Sequence, residues 1–251
     1  MVFHIYGLLI GLGLFLGLTI AEKTQKRLAK KDKTYADLYL DKSLVWLFGF
    51  GLLGARLYHV IDYWEYYRVN IVQTIFVWQG GLGIYGALLG GVIGLWFYVR
   101  FHKKTRKQFF QLLNLLATGL PLAQAIGRLG NYFNEELFGL PTKLPWGLYI
   151  EPSSRPPGFA QATHFHPLFA YEAILNMGLF AVLWQASKNA KTRNHLFVIY
   201  LLGYSTIRFS LDFLRLDSWK IGTLTTAQWM SLGFFLSSFL VLLKMRLASK
   251  K

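Results

Sequence analysis

Residues 2–20 read VFHIYGLLIGLGLFLGLTI, without a formal charge, and residues 21–33 continue as AEKTQKRLAKKDK. A bilayer hydrocarbon core takes about 20 such residues as helix. A cleaved secretory signal carries its basic residues before the apolar stretch and a small-residue cleavage site after it. Here the order is reversed, so the segment predicts a retained first membrane helix. Composition agrees: of 251 residues, 54% are hydrophobic, 17% aromatic and only 16% charged, against roughly 25% charged in an ordinary soluble domain. Such apolar content excludes disorder. The absence of cysteine excludes a disulfide scaffold, a thiolate metal site and a cysteine nucleophile within the chain.

Further apolar runs at 44–61, 80–99, 109–126, 167–186, 196–214 and 225–243 bring the candidate spans to seven. The predicted fold is an all-α polytopic membrane protein, a single integral membrane domain over 1–251. Alternate connections carry the charge: residues 22–42 hold seven Lys and Arg, 100–107 five, 187–194 three and 244–251 four, with four acids among them. That side therefore carries the whole net charge of +15, and the rest of the chain is neutral. This is the pattern of cytoplasmic loops. It places the amino terminus outside and the carboxyl terminus in the cytoplasm, and it accounts for the basic tracts without nucleic acid.

The longest outer connection, 128–165, holds five of the seven prolines together with Tyr132, Phe133, Trp146 and Tyr149. Loops of this length are usually functional or disordered, and its aromatic content favours a packed cap at the outer, periplasm-facing interface.

Gly81-Leu82-Gly83-Ile84-Tyr85-Gly86 matches the dinucleotide pattern G-x-G-x-x-G, but that fingerprint needs a preceding strand, and here it opens an apolar helix. Gly86, Gly90 and Gly94 read as small residues for close helix packing. The density of glycine over 80–86 predicts a non-helical segment beside a cavity, into which Tyr85 points. Arg128, Asn131, Asn134, Glu135 and Glu136 follow directly on an apolar span. An interfacial anchor would explain them, yet an Arg among glycines with two nearby amides suits a phosphate, because the guanidinium offers a planar fork of donors. Arg208, Asp212 and Arg215 share a helical face at i, i+4 and i+7, and a second cation there would complete a two-arginine clamp for an anionic head group. Asp212 could equally serve as the internal partner of Arg208. Arg56 and Glu172 are further charges inside apolar runs. His164 and His166 lack the convergent spacing of a zinc site, so His166 reads as an interfacial or substrate-site residue and no metal is expected.

At these positions the chain resembles the phosphatidylglycerol-prolipoprotein diacylglyceryl transferases, seven-span enzymes of the bacterial inner membrane. The resemblance rests on Tyr6-Gly7, Gly54-Ala55-Arg56-Leu57, 80–91, the 127–139 signature, His166-Pro167 to Tyr171-Glu172, and 208–215. It implies transfer of a diacylglyceryl group from phosphatidylglycerol to the lipobox cysteine of a prolipoprotein signal peptide, with release of glycerol 1-phosphate and no cofactor. From the family motifs it carries over Arg128, Asn131, Glu136, Gly139, Tyr6 and Arg208. We therefore take Arg128, Arg208 and Tyr85 as catalytic candidates, and Tyr6, Asn131, Glu136, Gly139, Arg56, His166, Glu172 and Asp212 as substrate-binding candidates. The family commonly has His where this chain has Tyr85 and Asp where it has Asn114. A phenol with a pKa near 10 is a poor base at neutral pH, so Tyr85 is tuned, only binds, or leaves the proton to another group. The rival readings are a non-catalytic phospholipid-binding relative and a small-solute transporter built on Gly-broken helices.

Overall fold

The computed structural model describes residues 2–216 and 219–248. Seven long helices appear among them: α1 Val2–Ala29, α2 Leu40–Asp62, α3 Ile84–Phe101, α4 Arg106–Phe133, α5 Leu168–Ala186, α6 Leu196–Asp212 and α7 Thr226–Ala248. Six are long and apolar enough to cross a membrane. The seventh, α6, is 17 residues long and ends on its own ion pair, Arg208–Asp212. Four two-residue strands form two antiparallel pairs: β1 Leu148–Tyr149 with β2 His164–Phe165, and β3 Lys220–Ile221 with β4 Leu224–Thr225.

The chain divides into two compact units, Gln25–Leu113 and Met1–Thr24 with Asn114–Lys251. In the first, α2 and α3 meet along glycine. A Cβ at Gly86 would lie 2.2 Å from the Gly54 carbonyl oxygen, at Gly90 2.2 Å from that of Phe50, and at Gly94 2.3 Å from that of Trp46. These distances leave no room for any side chain, which is how small residues hold membrane helices together when water offers no hydrophobic drive. Before α3 the backbone is non-helical over 80–83, with Gly80 and Gly81 at φ of 89° and 70°, conformations that glycine adopts without penalty.

In the second unit α1 crosses α4 in the same way: a Cβ at Gly119 would stand 1.9 Å from the Gly17 carbonyl oxygen. Ala117, Leu179, Leu183, Leu196, Tyr200 and Ile207 form its apolar core. The start of α6 is fixed by Asn114, whose amide donates to the Asn194 carbonyl at 2.8 Å and accepts from the Phe197 N–H at 2.9 Å. Asn114 thus occupies a position where an amide is fully used at both ends. α7 opens with a reciprocal cap: the Thr225 N–H donates to Gln228 and the Gln228 N–H to the Thr225 hydroxyl oxygen, which satisfies two N–H groups at the helix start.

Two boundaries differ from the sequence expectation. α4 continues through Phe133, so Arg128 and Asn131 stand on its last turns, not in a loop, because Tyr132 and Phe133 keep the apolar pattern running past the glycines. And α6 stops at Asp212, so Arg215 is not on its face at i+7. Arg215 reaches the site through an isolated antiparallel bridge to Gly139.

Candidate active site

Within the second unit, the end of α4, the start of α5 and the end of α6 bring charged side chains together. Arg128 donates to the Glu172 carboxylate at 2.8 Å, and Glu172 is almost wholly buried. Arg208 lies 3.1 Å from Asp212, one helical turn ahead. The other Asp212 oxygen accepts the Thr225 hydroxyl, so the cap of α7 also positions this acid. The Tyr204 hydroxyl is within electrostatic reach of Arg128, Arg208 and Glu172, and Arg215 within reach of Arg208, Asp212, Glu172 and Arg128. Burial, and next the neighbouring Arg208, draw the Arg215 guanidinium below the usual arginine value.

Three partly exposed guanidinium groups thus accompany two buried carboxylates, an excess of one positive charge. Bare excess charge is costly inside a membrane, so the arrangement calls for an anion. The Arg128 Nε is buried and has no hydrogen-bond partner among the described residues, a donor left for such a ligand.

A second cluster follows at once. The Asn131 amide donates to Glu136 at 3.2 Å, and the Glu136 N–H returns to the Asn131 carbonyl at 2.9 Å. Glu135 and Leu137, on either side, have φ of 52° and 58°, left-handed conformations that cost a non-glycine residue about 1–2 kcal/mol each. The chain holds this strained reversal through the Asn131–Glu136 clasp, and Asn134 donates to the same carboxylate. Strain of this kind gathers at functional sites.

Gly139 then threads between two segments. Its N–H donates to the His166 carbonyl at 2.8 Å, and a Cβ there would lie 2.6 Å from the Leu214 carbonyl oxygen. No larger residue fits without moving backbone. His166 Nδ1 is 3.2 Å from the Tyr171 hydroxyl, which accepts from the Trp146 indole at 2.8 Å. The Tyr6 ring lies against Gly130, 2.6 Å from where a Cβ would be.

A family model described as prolipoprotein diacylglyceryl transferase matches residues 1–244. The chain belongs to this family. Among similar proteins, the phosphatidylglycerol–prolipoprotein diacylglyceryl transferase of Trichormus variabilis is 40% identical over 90% of this chain and 80% of its own length. That of Acaryochloris marina is 37% identical over 98% and 89%, and that of Finegoldia magna 35% over 95% and 90%. The chain is a multi-pass membrane transferase, as its residues led us to expect.

Two candidates of this transferase lie in the other unit. Arg56 is buried, and its guanidinium donates to the carbonyls of Gln73, Thr74 at 2.8 Å, Gly80 at 2.8 Å and Gly81 at 3.0 Å, with the Tyr67 ring beneath it at 5.2 Å. It ties the loop between α2 and α3 to α2, and one N–H remains for anything else. Tyr85 is 44% exposed on the first turn of α3, its ring 6.0 Å from that of Tyr58. No hydrogen-bond partner for its hydroxyl is found among the described residues.

Sequence reasoning assigned no role to Tyr204 or Thr225, and it placed Arg215 on the face of α6 instead of beside Gly139. A hydroxyl one turn before Arg208 was a usable signal for Tyr204. Thr225 had one too, in the capping pattern Thr-x-x-Gln.

Proposed function

We propose that this transferase moves the diacylglyceryl group of phosphatidylglycerol to the lipobox cysteine thiol of a prolipoprotein, releasing glycerol 1-phosphate. The reading rests on the single positive charge in excess among Arg128, Arg208, Arg215, Glu172 and Asp212, which matches the single negative charge of a phosphodiester. The cysteine sulfur attacks the glyceryl carbon that bears the phosphate. A C–S bond forms, the C–O bond to phosphate breaks, and the departing oxygen keeps the electron pair. A second negative charge develops on the phosphate as it leaves. Arg128 and Arg208 hold that phosphate and stabilise the new charge, a role for preorganised donors that are stronger away from water.

The thiol proton leaves the sulfur before or during attack, since the thiolate is the nucleophile. Tyr85 is exposed at the start of α3 and open to contact from solvent or substrate, and the field of the arginines lowers the cost of the thiolate. Glu172 and Asp212 set the charge of the clamp. Asn131, Glu136, Gly139, Tyr6 and His166 shape the substrate pocket, while Arg56 holds the loop between α2 and α3 within its own unit. The basic connections face the cytoplasm, the amino terminus lies outside, and the site opens toward the outer face of the bacterial cytoplasmic membrane.

The test is purified protein with phosphatidylglycerol and a lipobox peptide, following glycerol phosphate release and peptide mass together. Coupled release and mass gain are expected, both lost with a Cys→Ser peptide. Arg208→Lys is expected to lose most of the turnover while staying folded, because an ammonium lacks the planar fork. Near-normal turnover in that variant would overturn the clamp.

A further inference from the structure

Away from the arginine cluster, the second unit carries an open groove of about 740 Å³ at the carboxyl end of α5. Its wall changes character along its length. Ala181 and Val182 line the part on the membrane-spanning helix, while Gln185, Lys188, Asn189 and Thr192 line the part at the helix end and in the loop beyond. The side-chain amide oxygens in that polar half already accept. The Gln185 side-chain oxygen receives Lys188, at 3.4 Å, and the Asn189 side-chain oxygen receives the Lys191 N–H, at 2.9 Å. The Thr192 hydroxyl donates to the Ala186 carbonyl at 2.6 Å.

What the groove still presents is donors: the Lys188 ammonium, which spends one N–H on Gln185, and the amide nitrogens of Gln185 and Asn189, for which no partner is found among the described residues. The Lys188 ammonium is held 5.5 Å from the centre of the Trp184 ring, as at a membrane interface. Lys191 and Arg193 add two further cations to the same loop, and the sequence contains no acid between Glu172 and Asp212.

We propose that this groove binds one phospholipid with an anionic headgroup, from the leaflet that meets the basic loops. An acyl chain lies along Ala181 and Val182, and the phosphate meets Lys188 and the two amides. Charge selects this occupant: a basic peptide segment would meet only cations and donors. The site is separate from the arginine cluster and serves retention of a lipid, not turnover.

The experiment is native mass spectrometry of the delipidated full chain in detergent, titrated with dioleoyl phosphatidic acid and, separately, with dioleoyl phosphatidylcholine. Phosphatidic acid also meets the arginine cluster, so the readout is the change caused by substitution at Lys188 and Val182. Both side chains are exposed, Val182 at 56%, so replacing them does not threaten the core. Lys188→Gln is expected to weaken phosphatidic acid binding about fivefold, the effect of one basic residue at an anionic surface, and to leave phosphatidylcholine unchanged. Val182→Trp, which fills the apolar half with the charge intact, is expected to weaken both. Wild-type affinity for phosphatidic acid in Lys188→Gln, or equal weakening for the two lipids there, would overturn the headgroup assignment. Wild-type binding of both lipids in Val182→Trp would overturn the groove itself.

Discussion

Replacing Glu172 by Gln removes one carboxylate charge from the arginine cluster while keeping the shape and one acceptor. Stability and ligand affinity should then move in opposite directions. Glu172 has a side chain only 4% exposed and faces Arg128 at 2.8 Å. Two unit charges about 4 Å apart attract by roughly 4 kcal/mol at the effective dielectric of a partly buried pair. Part of that loss is returned because a neutral amide is cheaper to bury than a carboxylate, which leaves a destabilisation of about 2–3 kcal/mol. For a chain of this size that corresponds to roughly 4–12 °C in the unfolding midpoint, readable by thermal denaturation in detergent. The cluster meanwhile passes from one excess positive charge to two. Phosphatidylglycerol binding should tighten about tenfold, equivalent to about 1.4 kcal/mol, and turnover should fall because the phosphate product is held as well. An unchanged midpoint, or weaker phosphatidylglycerol binding in a folded variant, would refute the charge argument.

Gly119→Val should destabilise by at least about 1–3 kcal/mol through overpacking, since even a Cβ there would stand 1.9 Å from the Gly17 carbonyl oxygen; a wild-type melting curve would contradict the α1–α4 crossing. Asn114→Asp should cost about 0.5–1.5 kcal/mol, because a carboxylate cannot donate to the Asn194 carbonyl and that hydrogen bond is lost. Chemical denaturation in mixed micelles measures it, and a neutral result would remove Asn114 as the tie to α6. Asp32 is held below the usual carboxylate range, chiefly by the Thr34 hydroxyl, with the Thr34 N–H and Lys107 assisting. Its contribution is present above the unfolded value near 4 and is lost as pH falls through the lower folded value. The melting difference between wild type and Asp32→Asn should therefore be constant from pH 8 to 5 and close below pH 4; a gap that widens on acidification would contradict it.

What could be read from the residues alone was what hydropathy and spacing encode. The spans follow from apolar runs, and the glycine contact of α3 follows from Gly86, Gly90 and Gly94, spaced by one helical turn. Arg128 and Arg208 announced themselves because a cation in an apolar run needs a reason. The pairing was not legible. Glu172 as the partner of Arg128 joins residues 44 apart, and nothing in either local pattern points to the other. Arg215 seemed to extend the face of α6, but the helix ends at Asp212 and the chain instead bridges to Gly139. Arg56 looked like a substrate ligand because it is a charge inside an apolar run. Its partners are main-chain carbonyls, which every sequence has and no motif displays.

The two arginine pairs also differ in when they can form. Arg208 and Asp212 lie on one helix, one turn apart, so α6 can neutralise itself as soon as it coils. Arg128 must wait for Glu172, 44 residues further along the chain. At synthesis rates of about 5–20 residues per second, α4 reaches the membrane with an unmatched cation for roughly 2–9 s. Arg128 stands less than two turns from the end of α4 at Phe133, within reach of the water interface for a long side chain. Its place near the helix end therefore serves the nascent chain as well as the finished enzyme. Moving the same arginine a few turns deeper would strand a charge in the bilayer before its partner exists.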